Sequence, residues 1–262
     1  MKELDFQNKT NAARAINDWV KSQTKDKIEE IVTPESLEIN TKLLLVNAIY
    51  FKGVWASPFD KDRTRPAAFW VTDQESREVQ MMTRTSEMLY ARLEELDCSM
   101  VELPYGNGRF VMQVLVPDQR LGVTQLEEKM AAIDLSFEFG KKHQVVMVEF
   151  SLPRFTLSTD LSLTDSLQRM GMEDLFSAEE ADLSGITGSR LLYVSGVKQR
   201  GVIQVDEEGS EASVVTSVTT TDSATAPKII TVDHPFIFLI SDTLTGSVLF
   251  QGRVVNPSDP AV

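Results

Sequence analysis

The sequence predicts an α+β fold, with mixed sheets surrounded by a few helices, on three observations. Apolar segments of strand length follow one another along most of the chain, and only a few segments show helical periodicity. Turn-forming residues separate neighbouring strand segments, as Gly106, Asn107 and Gly108 do. No internal repeat and no clear second domain boundary interrupts this alternation, so residues 1–262 are expected to form one domain.

The composition is that of a soluble globular protein with a large core. Hydrophobic residues make up 42% of the chain and charged residues 25%. The net charge of −13 disfavours nucleic acid and anionic membranes as partners. No window approaches about 18 consecutive apolar residues, so no membrane span is predicted, and the start "MKELDFQNKT" lacks the apolar core of a signal peptide. Cys98 is the only cysteine and stands at a predicted strand start, which favours a buried structural thiol over a disulfide.

The first half of the chain is predicted to form a helix, a buried strand and a hairpin. Apolar residues recur at helical spacing in "NKTNAARAINDWVKSQTKDKIEEI", with Asn8 or Thr10 available as the cap. The near-continuous apolar run "TKLLLVNAIYFKGVW" is typical of a fully buried strand that ends at Gly53. "YGNGRFVMQVLVP" predicts a hairpin, and "LGVTQLEEKMAAI" predicts a second helix.

The second half is predicted to contain one marked helix and several strands. Ser158 or Thr159 can cap a helix in "STDLSLTDSLQRMG", which Gly171 would end. Three later apolar segments, "RLLYVSGVKQRGVIQV", "KIITVDHPFIFLI" and "GSVLFQGRVV", are interpreted as strands. The last two are expected to be joined in a hairpin through "SDTLTGS".

The sequence offers no support for an enzyme. Its only histidines are His143, in a basic turn, and His234, before a proline, and both are interpreted as structural or solvated. The chain contains no HExxH, P-loop or dinucleotide-binding motif, so neither a metal nor a cofactor is predicted. The single N-glycosylation sequon is "NKT" at Asn8.

The segment "DEEGSEASVVTSVTTTDSATAPK", residues 206–228, combines linker-like and strand-like features. Serine and threonine are common in linkers, whereas valine and threonine favour strands. If the segment from Ser210 onward is extended, alternation places an uncharged set of side chains, including Ala212 and Val214, on one face. No proline occurs between Ser210 and Ala226, so every backbone N–H there is available to a sheet. The composition fits a segment that is exposed in one state and a strand in another.

Seven motifs in family order make the chain resemble a serpin over essentially its whole length. The hinge-like "VDEEGSEA", residues 205–212, opens this segment, and the signature-like "ITVDHPFIFLI" follows it. The other five are "NAIYFKGVW", "LPRF", "GMEDLF", "ADLSGI" and "LFQGRVVNP". The resemblance implies a serine protease inhibitor that is not an enzyme. Its exposed reactive-centre loop, about 207–228, would be cleaved as a substrate and would then enter the central sheet as a new strand.

The resemblance also assigns roles to individual residues. Trp55, Arg154 and Gln199 correspond to the region that opens to admit the loop, and Arg154 is expected to pair with Glu207. Gln199 stands where many members have histidine, and glutamine also forms hydrogen bonds. The hinge is assigned to six consecutive residues, Glu207, Glu208, Gly209, Ser210, Glu211 and Ala212.

Counting along the loop as in inhibitory serpins places the reactive bond between Ser223 and Ala224. A count from the downstream motif differs by one residue, so the bonds formed by Asp222 with Ser223 and by Ala224 with Thr225 stay open as alternatives. No arginine or lysine lies between Ser210 and Ala226. An elastase-like or subtilisin-like target is therefore favoured over a trypsin-like one, and the inhibitor is expected to be a monomer.

Two departures from the family pattern keep other functions open. Val214 and Val215 are larger than the residues usual at these hinge-proximal positions, which supports a non-inhibitory carrier, chaperone or binding module. The helices and strands that open a serpin before the segment resembling "ELDFQNKTNAARAINDWV" are absent, so an N-terminally truncated, inactive fragment is the third reading. The resemblance favours an extracellular protein, with a cytoplasmic one as the alternative.

Overall fold

A computed structural model describes residues 2–133, 144–208 and 226–257. The described residues fall into two compact units, one made of 2–51 and 158–203 and the other of 52–133, 144–157, 204–208 and 226–257. Within the described residues, no helix is long and apolar enough to cross a membrane. The expectation of one domain over 1–262 stays a prediction.

Eleven strands are present in the described residues. They are β1 Leu43–Phe51, β2 Arg65–Trp70, β3 Ser76–Leu93, β4 Cys98–Tyr105, β5 Phe110–Pro117, β6 Gln144–Pro153, β7 Phe155–Ser162, β8 Val194–Val205, β9 Lys228–Thr231, β10 Phe236–Asp242 and β11 Val248–Val254. β1, β8 and β7 form a three-stranded sheet in that order. The order in the eight-stranded sheet is β11-β10-β5-β4-β3-β6-β9, and β2 pairs with β3.

The described helices are few and short. The α-helices are α1 Lys9–Gln23, α2 Val123–Met130, α3 Thr164–Arg169 and α4 Ser184–Thr187. Single 3₁₀ turns cover Pro34–Ser36, Lys61–Arg63, Glu94–Leu96 and Asp174–Phe176.

The first helix begins where its cap was predicted. The Asn11 amide donates to Asn8 Oδ1 at 3.2 Å, so Asn8 is the N-cap. Asn8 is exposed, and its glycosylation stays a prediction. Ala12, Ile16 and Val20 are buried on the inner face of α1, as their spacing indicated, whereas Trp19, predicted at the same spacing, is 44% exposed.

Three expectations about the strands need correction. β1 is not fully buried, because all nine of its residues are intermediate or exposed. The predicted helix in "STDLSLTDSLQRMG" starts only at Thr164, since Phe155–Ser162 forms β7 alongside β8. The segment "KIITVDHPFIFLI" contains two strands, β9 and β10, because it breaks at Pro235 and its two parts join different positions of the sheet.

Other expectations are confirmed. β4 and β5 form the predicted hairpin, with Gly106 and Gly108 at φ +48° and +81°, where a side chain would strain the backbone. β10 and β11 form the second hairpin. Cys98 begins β4 and is fully buried, and burial raises the pKa of its thiol to about 12.

His234 has a structural role, as predicted. It is buried, with Nδ1 2.8 Å from Asp233 Oδ1 and Nε2 2.8 Å from the carbonyl oxygen of Pro117. His143 lies outside the described residues.

Candidate functional site

Trp55 is fixed to the end of β4. Trp55 is 3% exposed, and its ring stacks on that of Tyr105, with centroids 4.3 Å apart and planes 12° from parallel. On either side of it, the Ala56 amide donates to the Pro104 carbonyl at 2.8 Å and the Gly106 amide donates to the Val54 carbonyl at 2.7 Å. Burial raises the pKa of the Tyr105 phenol, which stays protonated against the indole. Trp55 is therefore a rigid platform beside the residues that follow β8.

Asp206, the first residue after β8, is held through both its backbone and its side chain. The Trp55 indole Nε1 donates to the Asp206 carbonyl at 2.8 Å. Lys52 Nζ lies 2.8 Å from Asp206 Oδ2, and Gln204 Nε2 donates to the same oxygen at 3.3 Å. These contacts fix the direction in which the chain leaves β8.

Glu207 is the most enclosed of the three acidic residues, and only 2% of it is exposed. Arg154 Nη2 donates to both carboxylate oxygens at 2.6 Å, and Thr64 Oγ1 donates to Oε1 at 2.7 Å. The Phe59 amide donates to the Glu207 carbonyl at 3.0 Å. Burial by itself would raise the pKa of the Glu207 carboxyl, but the hydrogen bonds from Arg154 and Thr64 hold it below its usual value. Glu207 is therefore a charged, fully bonded anchor.

Glu208 is held at the surface. Its carboxylate forms an ion pair with Lys61, which raises the pKa of the Lys61 ammonium through a side-chain hydrogen bond. The Trp55 amide donates to the Glu208 carbonyl at 3.4 Å. We call this arrangement the hinge clamp: Asp206, Glu207 and Glu208, held by Lys52, Trp55, Phe59, Lys61, Thr64 and Arg154.

A buried arginine, Arg84, contacts the segment that contains Phe59, one of the residues of the hinge clamp. Arg84, in β3, is 8% exposed and donates through Nη1 to the Ser57 carbonyl. Its guanidinium lies 5.0 Å from the centroid of the Phe59 ring. Desolvation lowers the pKa of Arg84 to about 10, yet it stays charged near neutral pH. Arg84 therefore holds the segment whose Phe59 amide binds Glu207.

The other unit contains a direct pairing of β1 with β8. The two strands are parallel, and their register runs from Leu44 opposite Gly196 to Phe51 opposite Ile203. Asn47 Nδ2 donates to Gln199 Oε1 at 3.0 Å, which links the two strands through side chains as well. β1 and β8 are direct neighbours, and we call the sheet in this arrangement the closed sheet.

The structure brings together four of the predicted site residues: Trp55, Arg154, Glu207 and Glu208. Gln199 lies in the other unit, opposite Asn47. The rest of the predicted hinge and the reactive bond are outside the described residues: Gly209, Ser210, Glu211, Ala212, Asp222, Ser223, Ala224 and Thr225.

The sequence did not single out Lys52, Lys61, Thr64 or Arg84. Lysines and threonines of this kind are common on surfaces, and nothing near them in the chain indicates the acidic residues about 150 positions away. Arg84 had one signal, since it interrupts the inward-facing apolar series of β3 that includes Met82 and Met88.

Comparisons with known proteins agree with this architecture. A family model described as "Serpin (serine protease inhibitor)" matches residues 1–257. The leukocyte elastase inhibitor of Homo sapiens is 37% identical over 97% of this chain and 69% of its own length. The crystal structure of uncleaved ovalbumin has a TM-score of 0.86 at 34% identity and covers 98% of this chain and 69% of its own. The complex of thyroxine-binding globulin with thyroxine has a TM-score of 0.85 at 30% identity, covering 98% and 67%.

The fold and the hinge clamp thus define a protein of two mixed sheets with three consecutive acidic residues bound directly after β8. The chain belongs to the serpin family. Serpins are in general protease inhibitors and not enzymes, and the name of one relative, the leukocyte elastase inhibitor, agrees with that role.

Proposed function

We propose that this chain inhibits a serine protease as a suicide substrate. The loop at about 207–228 presents the bond between Ser223 and Ala224, with the neighbouring bonds at Asp222 and Thr225 as alternatives. The protease cleaves this bond and forms an acyl-enzyme. The loop then enters the sheet between β1 and β8 and carries the protease with it.

The observation that carries this proposal is the direct parallel pairing of β1 and β8. A chain that turns back after Val205 and enters between them runs antiparallel to both strands. Two antiparallel ladders then replace one parallel ladder. Parallel pairing is slightly less stable per residue than antiparallel pairing. The closed sheet therefore has a more stable arrangement available, and cleavage of the loop releases the strand that forms it.

The hinge clamp supports the same proposal. It holds the three residues before Gly209 by side-chain and backbone contacts, so the start of the loop has a fixed direction. Ser210, a small and neutral residue, is then the first to enter the sheet at little cost of desolvation. The contacts of the hinge clamp hold the uncleaved loop outside the sheet. After cleavage, the free energy gained by adding a strand to the sheet exceeds the free energy of these contacts.

An elastase-like target is favoured by the loop and by one relative. The candidate bonds lie among small or acidic residues, and the human leukocyte elastase inhibitor is 37% identical. A subtilisin-like protease accepts such residues as well and is the second candidate.

A carrier or binding function is the alternative. Val214 and Val215 add bulk where the loop must enter, and thyroxine-binding globulin, solved with thyroxine, shares the fold at a TM-score of 0.85. In that case the loop would be cleaved without trapping the protease.

A third outcome is an inactive chain. β1 is incompletely buried among the described residues, and a sheet with an exposed apolar strand can fail to hold the fold that inhibition needs.

The test is to mix the chain with an elastase and with a subtilisin-type protease, followed by denaturing gels and mass spectrometry. Trapping gives a band that withstands denaturation and contains the mass of the protease, and the released peptide locates the cleaved bond.

Ser210→Arg is the matched control, since a charged side chain opposes entry into the sheet. This variant should be cleaved at the same rate as the original chain and give no stable band. Cleavage of the unchanged chain without a stable band would overturn inhibition and favour the carrier.

A further inference from the structure

A cavity of about 840 Å³ lies within the unit that contains α1 and β1. Ile16 and Trp19 of α1 form one wall, and Leu44 and Val46 of β1 form another. Phe6, which precedes α1, also lines the cavity. Ligand cavities in proteins usually measure about 300–1,000 Å³ and are lined mainly by apolar and aromatic side chains. This cavity therefore has the size and the lining of a small-molecule site.

The apolar lining is buried on one side and exposed on the other. Ile16 belongs to the buried core beneath α1, and Leu44 packs against that core. Trp19, Leu45 and Ile186 also line the cavity, and each of them is between 42% and 47% exposed. Large apolar side chains gathered around one concavity, rather than scattered singly, indicate a binding surface. An apolar ligand would therefore remove these three side chains from water.

The charged part of the lining is mainly cationic, although the whole chain carries a net charge of −13. Lys2 and Lys42 line the cavity together with one acidic residue, Glu3. Both lysines are exposed, and neither forms an ion pair with another of the described residues. A lysine at the border of an apolar site packs its stem against the ligand and keeps its ammonium group in water, where it can bind an anion. The lining thus fits a ligand with an apolar tail and an anionic head.

We propose that this cavity binds a fatty acid, with the acyl tail between α1 and β1 and the carboxylate beside Lys42 and Lys2. The residues of the hinge clamp belong to the other unit, so binding does not depend on protease inhibition. A second copy of the chain is a poorer occupant, because two chains of charge −13 repel each other and a stable protein interface needs about 800 Å² from each partner. A neutral lipid would leave both lysines without a partner.

The fluorescence of Trp19 reports whether the cavity is occupied, because Trp55 and Trp70 belong to the other unit. Titration of the uncleaved chain with ω-bromododecanoate should quench Trp19, since bromine quenches an indole that it contacts. Trp19→Phe keeps an aromatic wall and should remove the quenching, while calorimetry still detects binding of dodecanoate. Quenching that persists in Trp19→Phe would place the ligand elsewhere and overturn the proposal. Absence of calorimetric binding to the original chain would overturn it as well.

Two surface variants test the carboxylate. Lys42→Gln should weaken dodecanoate binding about threefold, and Glu3→Gln should strengthen it by a similar factor, because an exposed charge pair changes a binding constant only a few-fold. Neither change should alter the binding of dodecanol, which has the same tail and no charge. Equal effects of a variant on the acid and the alcohol, or effects of the same sign from both variants, would contradict the assignment of the head group.

A larger side chain on α1 tests the position of the tail. Ala15 lines the cavity, and Ala15→Phe should lower the affinity for dodecanoate about tenfold because the ring displaces about two methylene groups. Ser22→Phe is the matched control, since Ser22 is exposed on the same helix and does not line the cavity. Its affinity should equal that of the original chain, and urea midpoints show whether both variants are folded.

Unchanged affinity in a folded Ala15→Phe variant would overturn the site. Self-association of the chain without binding of dodecanoate would assign the cavity to a second copy and overturn it too. No protease enters these measurements, so their failure would leave the proposed inhibition untouched.

Discussion

Two apolar strands, β10 and β1, look alike in sequence and differ in the structure. All seven residues of β10 are buried, whereas none of the nine residues of β1 is. β10 lies between β5 and β11, and its Ile237 and Leu239 pack with the apolar face of α2. β1 pairs only with β8 among the described residues. The difference shows that apolar composition alone does not decide burial: β10 has a strand on each side and a helix packed on its face, whereas β1 pairs with one strand among the described residues.

The largest expected effect compares one side chain from each strand. Phe238→Ala in β10 should lower the free energy of unfolding by about 3–5 kcal/mol, because it leaves a cavity in a closed core. Leu45→Ala in β1 should lower it by no more than about 1 kcal/mol, since Leu45 is already 42% exposed. Urea denaturation measures both changes. Equal losses of unfolding free energy would mean that β1 is packed as tightly as β10, despite its greater exposure.

A pair of glycine substitutions sharpens the comparison at the neighbouring strands. A Cβ at Gly252 in β11 would lie 2.5 Å from two ring atoms of Phe238, so Gly252→Ala should destabilise the protein by about 1–3 kcal/mol through overpacking. A Cβ at Gly201 in β8 meets nothing within 4 Å. Gly201→Ala should therefore leave stability unchanged or raise it by up to about 1 kcal/mol. Adding Phe238→Leu to Gly252→Ala should recover part of the loss, and failure to recover it would place the strain elsewhere.

Glu207 is as buried as β10 but charged, and its contribution to stability should depend on pH. The pKa of its carboxyl is lower in the folded protein than in the unfolded chain, so the stabilisation is fully present above the unfolded value of 4.5. It is lost as the pH falls through the folded value. At pH 7, Glu207→Gln should cost about 1–3 kcal/mol because it removes charged hydrogen bonds to Arg154 and Thr64. The gap between the urea midpoints of variant and original should narrow as the pH falls below 4.5, and a gap that stays constant below that pH would contradict this account.

The smallest expected effect is at the surface pair of Lys61 and Glu208. Their side chains are 63% and 49% exposed, so solvent and salt screen the attraction between them. Lys61→Ala should leave the urea midpoint unchanged within error at both low and high salt. A clear loss of stability at low salt would show that Glu208 contributes to the hinge clamp as strongly as Glu207 does.

Much of the fold could be predicted from local patterns. The alternation of turns and apolar segments identified the β4–β5 and β10–β11 hairpins, and helical spacing identified α1 with its cap at Asn8. The errors arose where neighbours decide the structure. Residues 158–162 contain helix-compatible serine and threonine, yet they lie in β7 because β8 offers them hydrogen bonds.

The candidate site could be predicted in part. The family motifs located Trp55, Arg154, Glu207 and Glu208, and the structure brings them into contact. Lys52, Lys61, Thr64 and Arg84 were missed, because their partners are distant in the chain and their residue types are common at many positions. The buried charge of Arg84 is explained only by the folded structure, which brings the Ser57 carbonyl and the Phe59 ring into contact with its guanidinium.

By itself, the sequence determined the serpin family, the α+β class, the boundaries of the hairpins and the acidic segment before the loop, because turn chemistry, periodicity and collinear motifs are local properties. Only the tertiary structure decided that β1 is half exposed, that β1 and β8 pair directly, and that each acidic residue from Asp206 to Glu208 has its own cation. Burial and pairing depend on which segments meet across long separations in the chain. A strand's own residues show that it can be buried, and its neighbours decide whether it is.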